Sequence, residues 1–209
     1  MSAEDGYALG WAFVSKGDDA NSPNLEILTP AERARFARST PDLARRFLGG
    51  RDLLRRLVAE NTGVPVRSVV ISARCPDCGA EHGRPMVAAP IEAKYLSVSL
   101  TYAAGTAFAV ASHDRRIGVD AEPLDTSDSR IDAITTLTGA TRSEALLHWT
   151  RVEAVLKADG RGLRLDPSAV SIHLTDGTAW ASVEGSSRRY LLSEPRHDHA
   201  IQVSVAVEA

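Results

Sequence analysis

Three acidic residues in the second half of the chain could bind a divalent cation. Asp120 and Glu122 are two positions apart in a β-rich segment, so a strand would place both carboxylates on one face. Glu153 lies in a predicted helix, with Lys157 four residues later on the same helix face. Oxygen ligands without His or Cys suit Mg²⁺ or Mn²⁺, and a lysine beside them would neutralise phosphate charge. Taken separately, the same residues are also compatible with an exposed strand end and a surface ion pair.

A second candidate site lies in the first half of the chain, where arginine is concentrated. Between Arg33 and Arg56 there are eight arginines and two acidic residues, although the whole protein has a net charge of −3. Arginine presents a planar fork that suits phosphate oxygens, whereas a run of charge is also typical of a solvated helix face. The near-neutral total argues against a dedicated nucleic-acid binder. The segment is therefore interpreted as either a solvated face or a site for a small phosphorylated ligand.

Cys75, Cys78 and His82 have the spacing of zinc ligands, but no fourth ligand is obvious, and a turn-rich loop is the simpler interpretation. Two cysteines in one C-x-x-C cannot form a disulfide framework, which indicates a reducing compartment. No window approaches ~18 consecutive apolar residues, and the N-terminal segment is acidic, so neither a membrane span nor an export signal is predicted. We therefore expect a cytoplasmic protein with no membrane or nucleic-acid partner.

A long helix is predicted to contain the arginine-rich segment. Thr40-Pro41 is typical of a helix start and Gly63 of a helix end, so the helix should run from Pro41 to about Glu60. Apolar residues recur in it at helical spacing and should form its buried stripe: Leu43, Phe47, Leu54, Leu57 and Val58. Three arginines should point away from that stripe: Arg45, Arg51 and Arg55.

Two further helices are predicted from capping boxes, in which a hydroxyl and a Glu three residues later satisfy the first turn. One begins after Thr29, with Glu32 in its box. The other begins at Thr141, with Glu144 in its box, and ends at Gly160. β-rich segments predict strands over residues 9–14, 66–73, 95–101, 107–112, 117–121, 170–174 and 200–207. This order of elements predicts an α+β fold of two similar-sized halves, residues 1–103 and 104–209.

Two motifs in the second half resemble those of the 4′-phosphopantetheinyl transferases, in the larger, monomeric class that serves peptide and polyketide synthases. The segment 149–163 resembles the family signature W-x-x-K-E-a-x-x-K-a-x-G-x-G-L, and residues 118–122 match its G-[IV]-D-x-E motif. Residues 46–48 and 83–85 match weaker upstream signatures. The likeness runs from about Thr29 to Ile172. Either motif alone would be a weak signal, whereas both in the right order are fairly specific.

The resemblance implies a pseudo-twofold α+β fold with coenzyme A and Mg²⁺ (or Mn²⁺) bound between the two halves of a monomer. It also implies the reaction: a serine of an acyl- or peptidyl-carrier protein attacks the β-phosphorus of coenzyme A, and 3′,5′-ADP is released. Asp120, Glu122 and Glu153 would bind the metal. Glu153 would also be the general base, and Lys157 would balance charge on the phosphate. Such a displacement depends mainly on charge neutralisation and positioning, which these groups can supply.

The resemblance further implies a set of coenzyme A ligands in the first half. The candidates for its 3′-phosphate are Arg35, Arg46 and Arg51, and Arg84 is the candidate for a second phosphate contact. Ser99 and Thr101 are further candidate contacts to coenzyme A. The chain departs from the family pattern at Leu100, where the family has a phosphate-contacting histidine, and at Val152, where it has a lysine. We expect an active but altered transferase. The alternative is a non-catalytic descendant that binds coenzyme A or a carrier protein and regulates or scaffolds a synthase.

Overall fold

Two contiguous stretches of chain fold as separate units in the computed structural model, which describes residues 6–14, 25–197 and 200–209. The units are Met1–Asp114 and Arg115–Ala209. Both contain helices and antiparallel strands, so the predicted α+β class is confirmed. The boundary lies between Asp114 and Arg115 rather than between residues 103 and 104, because the strand that follows residue 103 pairs with two strands of the first unit.

The first unit is built on a three-stranded antiparallel sheet and a long helix. In chain order its elements are β1 (Ala8–Phe13), α1 (Pro30–Arg38), α2 (Pro41–Thr62), β2 (Val70–Ser72), β3 (Met86–Ala89), β4 (Leu96–Ala103) and β5 (Thr106–His113). The sheet order is β1-β5-β4, and β2 pairs with β3 in a separate small sheet. α2 packs against the larger sheet, and the main core of the unit includes Leu54, Val58, Val98 and Ala109.

The predicted starts of α1 and α2 and the predicted end of α2 are confirmed. Thr29 and Glu32 form the capping box of α1: the Thr29 hydroxyl accepts from the Glu32 amide, and Glu32 Oε2 accepts from the Thr29 amide at 2.9 Å. Pro41 is the first residue of α2. The helix ends at Thr62, and the following Gly63 caps it with a φ of 73°, a conformation that glycine adopts without the steric cost of a side chain.

The buried face of α2 differs from the predicted one. Phe47 is buried as predicted, but Leu43 is 54% exposed. The expectation that Arg51 and Arg55 point away from the core is wrong, because both are buried. Glu32 of α1 explains their burial: its Oε1 lies 3.1 Å from Arg51 Nε, and its Oε2 lies 2.5 Å from Arg55 Nη2. Charged side chains are buried at tolerable cost when they are paired.

The second unit is a five-stranded antiparallel sheet with a helix packed on it. Its elements are β6 (Ile117–Pro123), α3 (Asp128–Thr138), α4 (Ala145–Asp159), β7 (Val170–Thr175), β8 (Thr178–Val183), β9 (Arg189–Ser193) and β10 (Ile201–Glu208). The sheet order is β6-β10-β9-β8-β7. α4 packs against β6 and β10. The core of this unit includes Val155, Tyr190 and Ala206.

The observed start of α4 differs from the predicted start, whereas its predicted end is confirmed. The helix begins at Ala145, and the Thr141 hydroxyl donates to Glu144 Oε2 at 2.7 Å instead of capping the helix. It ends at Gly160, as predicted. Four observed elements were not predicted from the sequence: α3, β3, β8 and β9. In the part of the chain that the structure describes, no helix is both long and apolar enough to cross a membrane.

Candidate functional site

A glycine in β6 allows the backbone of α4 to lie directly against the strand. A Cβ atom at Gly118 would lie 2.0 Å from the carbonyl oxygen of Ala154 and 2.6 Å from the backbone nitrogen of Ala158. Strand side chains alternate, so Asp120 and Glu122 share the face of Gly118, against which α4 packs. This close approach brings the segments 118–122 and 149–163 together.

Lys157 of α4 forms an ion pair with Asp120 of β6. Its Nζ donates to Asp120 Oδ1 at 2.6 Å and to the carbonyl oxygen of Val119 at 3.0 Å. Asp120 is buried and Lys157 is half-buried, so solvent ions screen this pair less than a surface pair. Two residues predicted to act together from separate motifs therefore lie in direct contact.

Glu122 is paired with a residue that the sequence analysis missed. Arg130 of α3 donates through Nη2 to Glu122 Oε1 at 2.8 Å. Its guanidinium carbon also lies 5.5 Å from the centroid of the Trp149 ring. The available sequence signal is Ser127, a helix N-cap whose side chain accepts from the Arg130 amide. Arg130 adds a second positive charge to the acidic residues of β6.

Glu153, the predicted general base, is more basic than a free glutamate. Burial raises its pKa above the ordinary value of 4.5, and the negative charge of Asp120 raises it further. Lys157 and Arg130 lower the pKa and Glu122 raises it, so all four charges act on this carboxylate. A carboxylate with a raised pKa is suited to accept a proton near neutral pH.

The acidic cluster of Asp120, Glu122 and Glu153 fits a divalent cation by its donor chemistry. It supplies only carboxylate oxygens, which Mg²⁺ and Mn²⁺ prefer. The predicted ligand set is not assembled as a compact cage: among residues 6–14, 25–197 and 200–209, these carboxylates do not form a group with ligand atoms all within 4.8 Å. Asp120 and Glu122 are instead paired with Lys157 and Arg130, because opposite charges lie within reach.

Three of the predicted coenzyme A ligands surround two aromatic rings in the first unit. The guanidinium carbons of Arg35 and Arg51 lie 4.7 and 5.1 Å from the centroid of the Phe47 ring. That of Arg46 lies 5.0 Å from the centroid of the Tyr102 ring. Burial raises the pKa of Tyr102 to about 12, and the positive charges of Arg51, Arg46 and Arg35 oppose this increase. These three arginines therefore form one cationic cluster.

Arg51 differs from the other two members of this cluster in its exposure. Arg35 and Arg46 are exposed, whereas Arg51 is 5% exposed and paired with Glu32. Burial lowers the pKa of Arg51, and Glu32 acts against this decrease. Arg51 is therefore less accessible to a phosphate than Arg35 and Arg46, because its guanidinium lies inside the unit and is paired with Glu32.

The remaining predicted coenzyme A ligands lie on a different face of β4. Side-chain alternation places Ser99 and Thr101 on the face opposite Tyr102. Arg84 donates through Nη2 to Ser97 Oγ at 2.9 Å, so it lies with the residues of that face. Ser99 and Thr101 are buried and Arg84 is half-buried. The structure thus places Ser99, Thr101 and Arg84 with one face of β4, and Arg46 lies against Tyr102 of the opposite face.

The two departures from the family pattern contribute to apolar packing. Leu100 packs on the core of the first unit, and a Cβ atom at Gly50 of α2 would lie only 2.8 Å from its Cδ2. Val152 is 1% exposed in the core of the second unit. A polar replacement at either position would therefore change packing as well as charge.

The charged side chains described above fall into two groups, one in each unit. The second unit contains a basic carboxylate, a lysine and two further acids around the contact of α4 with β6. The first unit contains exposed arginines grouped beside aromatic rings. No protein-family model matches the chain, and no curated protein matches it significantly.

Proposed function

We propose that this protein transfers 4′-phosphopantetheine from coenzyme A to a serine of an acyl- or peptidyl-carrier protein. The main support is the 2.6 Å contact between Lys157 Nζ and Asp120 Oδ1, which joins the two motifs that resemble those of the transferases. Glu153 lies one turn before Lys157 on the same helix and responds to the charge of Asp120. The proposal rests on these residues, not on similarity along the whole chain.

In the proposed reaction, Glu153 accepts the proton of the carrier serine. The serine oxygen bonds to the β-phosphorus of coenzyme A, and the bond from this phosphorus to the oxygen that bridges to the α-phosphorus breaks. 3′,5′-ADP leaves with that bridging oxygen and its electron pair. Lys157 supplies positive charge where negative charge develops on the phosphate oxygens. The raised pKa of Glu153 supports its role as the base.

Asp120, Glu122 and Glu153 are the proposed ligands of Mg²⁺ or Mn²⁺. The bound ion would supply charge neutralisation on the pyrophosphate. The oxygen-only donor set supports this choice of metal. In the first unit, Arg35 and Arg46 are the proposed ligands of the 3′-phosphate, and their exposure supports that role. Arg84, Ser99 and Thr101 are proposed as further contacts to coenzyme A.

We also propose that the protein has the pseudo-twofold fold of this family and lies in the cytoplasm. Each unit has an antiparallel sheet with one long helix packed on it, α2 in the first and α4 in the second, and this similarity supports the pseudo-twofold fold of the family. Cys75 and Cys78 are free thiols, which supports a reducing compartment such as the cytoplasm. A monomer whose partners are coenzyme A and a carrier protein completes the proposal.

A second candidate function is non-catalytic binding of coenzyme A or of a carrier protein. The pairing of Asp120 with Lys157 and of Glu122 with Arg130 favours it, because both acids already have a cationic partner. Incubation with coenzyme A, Mg²⁺ and an apo carrier protein, followed by chromatography for 3′,5′-ADP, separates the two. Transfer predicts that 3′,5′-ADP appears only when the carrier has its serine. Binding alone predicts coenzyme A retention without that product.

A further inference from the structure

The loop between β2 and β3 brings three metal-ligating side chains together in the first unit. The sulfur atoms of Cys75 and Cys78 and a ring nitrogen of His82 all lie within 4.8 Å of one another. Cys78 Sγ and His82 Nε2 are 3.0 Å apart. Cys78 and His82 are exposed, and Cys75 is buried. The group is distinct from the acidic cluster and takes no part in the proposed transfer.

Backbone hydrogen bonds fold this loop into a turn in which the three ligands lie close together. The Cys75 amide donates to the carbonyl oxygen of Ala80 at 2.7 Å, and the His82 amide donates to the same oxygen at 2.9 Å. The Gly79 amide donates to the carbonyl oxygen of Cys75 at 2.9 Å. Gly79 has a φ of 73°, which glycine adopts readily. The chain therefore reverses directly after Cys78 and returns His82 to the cysteines.

The base of the loop is also closed by hydrogen bonds. The Gly83 amide donates to the carbonyl oxygen of Ala73 at 2.5 Å, and the Ala73 amide donates to Glu81 Oε2 at 2.8 Å. A Cβ atom at Gly83 would lie 2.7 Å from the carbonyl oxygen of Arg74, so the two ends of the loop are in close contact. These backbone hydrogen bonds thus hold the ends of the loop that carries the three ligands.

We propose that Cys75, Cys78 and His82 bind Zn²⁺. Two thiolates and an imidazole are the donors that zinc prefers over Mg²⁺ or Ca²⁺. Tetrahedral bonds of ~2.3 Å to sulfur and ~2.0 Å to nitrogen place ligand atoms roughly 3.5–3.8 Å apart, so only small side-chain adjustments are needed. Each cysteine releases its proton to solvent when the metal–sulfur bond forms. The fourth position is taken by water or by Asp77, whose Oδ2 lies 3.8 Å from Cys75 Sγ.

The metal would stabilise a loop to which two arginines are connected. Arg35 of α1 donates through Nη1 to the carbonyl oxygen of Glu81 at 2.8 Å. Arg84, at the end of the loop, donates to Ser97 Oγ at 2.9 Å. Zinc binding would therefore fix the loop carbonyl that accepts from Arg35 and the end of the loop that carries Arg84. The metal site itself does not depend on the proposed transferase activity, and its test uses the metal alone.

The test is metal content and cobalt substitution of the full-length protein purified under reducing conditions. We expect about one Zn²⁺ per chain by atomic emission. After chelation, added Co²⁺ should give thiolate charge-transfer bands and the visible bands of a tetrahedral site. Cys78→Ser and His82→Ala should each weaken zinc binding by at least ~100-fold, because loss of even an outer-shell partner can cost 10–100-fold. Both residues are exposed, so circular dichroism should show an unchanged fold.

His113→Ala is the matched control, because His113 is an exposed histidine that stacks on Tyr95 and lies outside the loop. Its zinc affinity should equal that of the unchanged protein. Two results would overturn the proposal: no cobalt–thiolate bands, or zinc binding that Cys78→Ser and His82→Ala leave unchanged.

Discussion

Lys157 Nζ lies 2.6 Å from Asp120 Oδ1, although the two residues are 37 positions apart in the chain. The contact joins α4 to β6 at the point where Gly118 allows the helix backbone to approach the strand. It places an ammonium, a carboxylate and the neighbouring Glu153 in one region of the second unit. This arrangement brings the two short sequence motifs into contact.

Asp120→Asn tests the acidic cluster while keeping an oxygen that can accept from Lys157. We expect the rate of 3′,5′-ADP release to fall by at least ~10²-fold, because a charge that stabilises the transition state is lost. Circular dichroism should remain unchanged. Asp125→Ala, an exposed acid just after β6, is the matched control and should keep the full rate. An undiminished rate in Asp120→Asn would show that the metal assignment is wrong.

Glu153→Gln should make the protein more stable and less active. Burial raises the pKa of Glu153 in the folded state, so the ionised side chain favours unfolding at neutral pH. In the presence of a chelator, the melting temperature at pH 7 should therefore rise in the variant. The difference should disappear as the pH falls below the ordinary pKa of 4.5, where both states are protonated.

The same variant should lower transfer by about 10²–10⁴-fold, the usual contribution of a general base. Glu184→Gln, at an exposed position of the same unit, is the control for both measurements and should change neither. A lower melting temperature of Glu153→Gln at pH 7 would contradict the assigned direction of the pKa shift.

Glu32→Ala should strongly destabilise the first unit. It would leave Arg51 and Arg55 buried without their counter-charge, which costs about 3–5 kcal/mol in comparable cases. Urea unfolding followed by fluorescence measures this change. Asp42→Ala removes the exposed ion pair with Arg45 and should cost less than about 1 kcal/mol. Equal effects of the two variants would refute the structural role of Glu32.

Arg46→Ala tests the cationic cluster without disturbing the core, because Arg46 is exposed. We expect coenzyme A binding to weaken by about 1.5–3 kcal/mol, or roughly ten- to a hundredfold in Kd, while dephospho-coenzyme A binding changes little. Raising the salt concentration should weaken coenzyme A binding by the unchanged protein more than coenzyme A binding by the variant. Calorimetry measures these Kd values. Arg38→Ala replaces another exposed arginine and is the control, whose Kd should equal that of the unchanged protein. An unchanged Kd in Arg46→Ala would favour the interpretation of these arginines as a solvated helix face.

Local signals are sufficient to predict several element boundaries and part of the site. Thr29 begins a helix and Gly63 and Gly160 end helices, because capping and positive φ are decided within a single turn. Strand alternation likewise places Asp120 and Glu122 on one face.

Features that depend on distant residues could not be predicted from such signals. The charge pattern of α2 alone predicts that Arg51 and Arg55 face solvent, and their burial follows from Glu32 on another helix. The position of Leu100 depends on its contact with Gly50 across the unit. Helix α3 is 11 residues long and has Arg130 rather than a Glu three residues after its N-cap Ser127, so it lacks a capping box and was missed together with Arg130.

The most direct test of the proposed activity is intact-protein mass spectrometry of apo acyl- and peptidyl-carrier proteins incubated with this protein, coenzyme A and Mg²⁺. The proposal predicts that a carrier gains the mass of one phosphopantetheine group. The gain should require the divalent cation, disappear when the carrier serine is replaced by alanine, and be lost with Asp120→Asn but kept with Asp125→Ala. Carrier proteins of unchanged mass, under conditions in which coenzyme A binds, would contradict it.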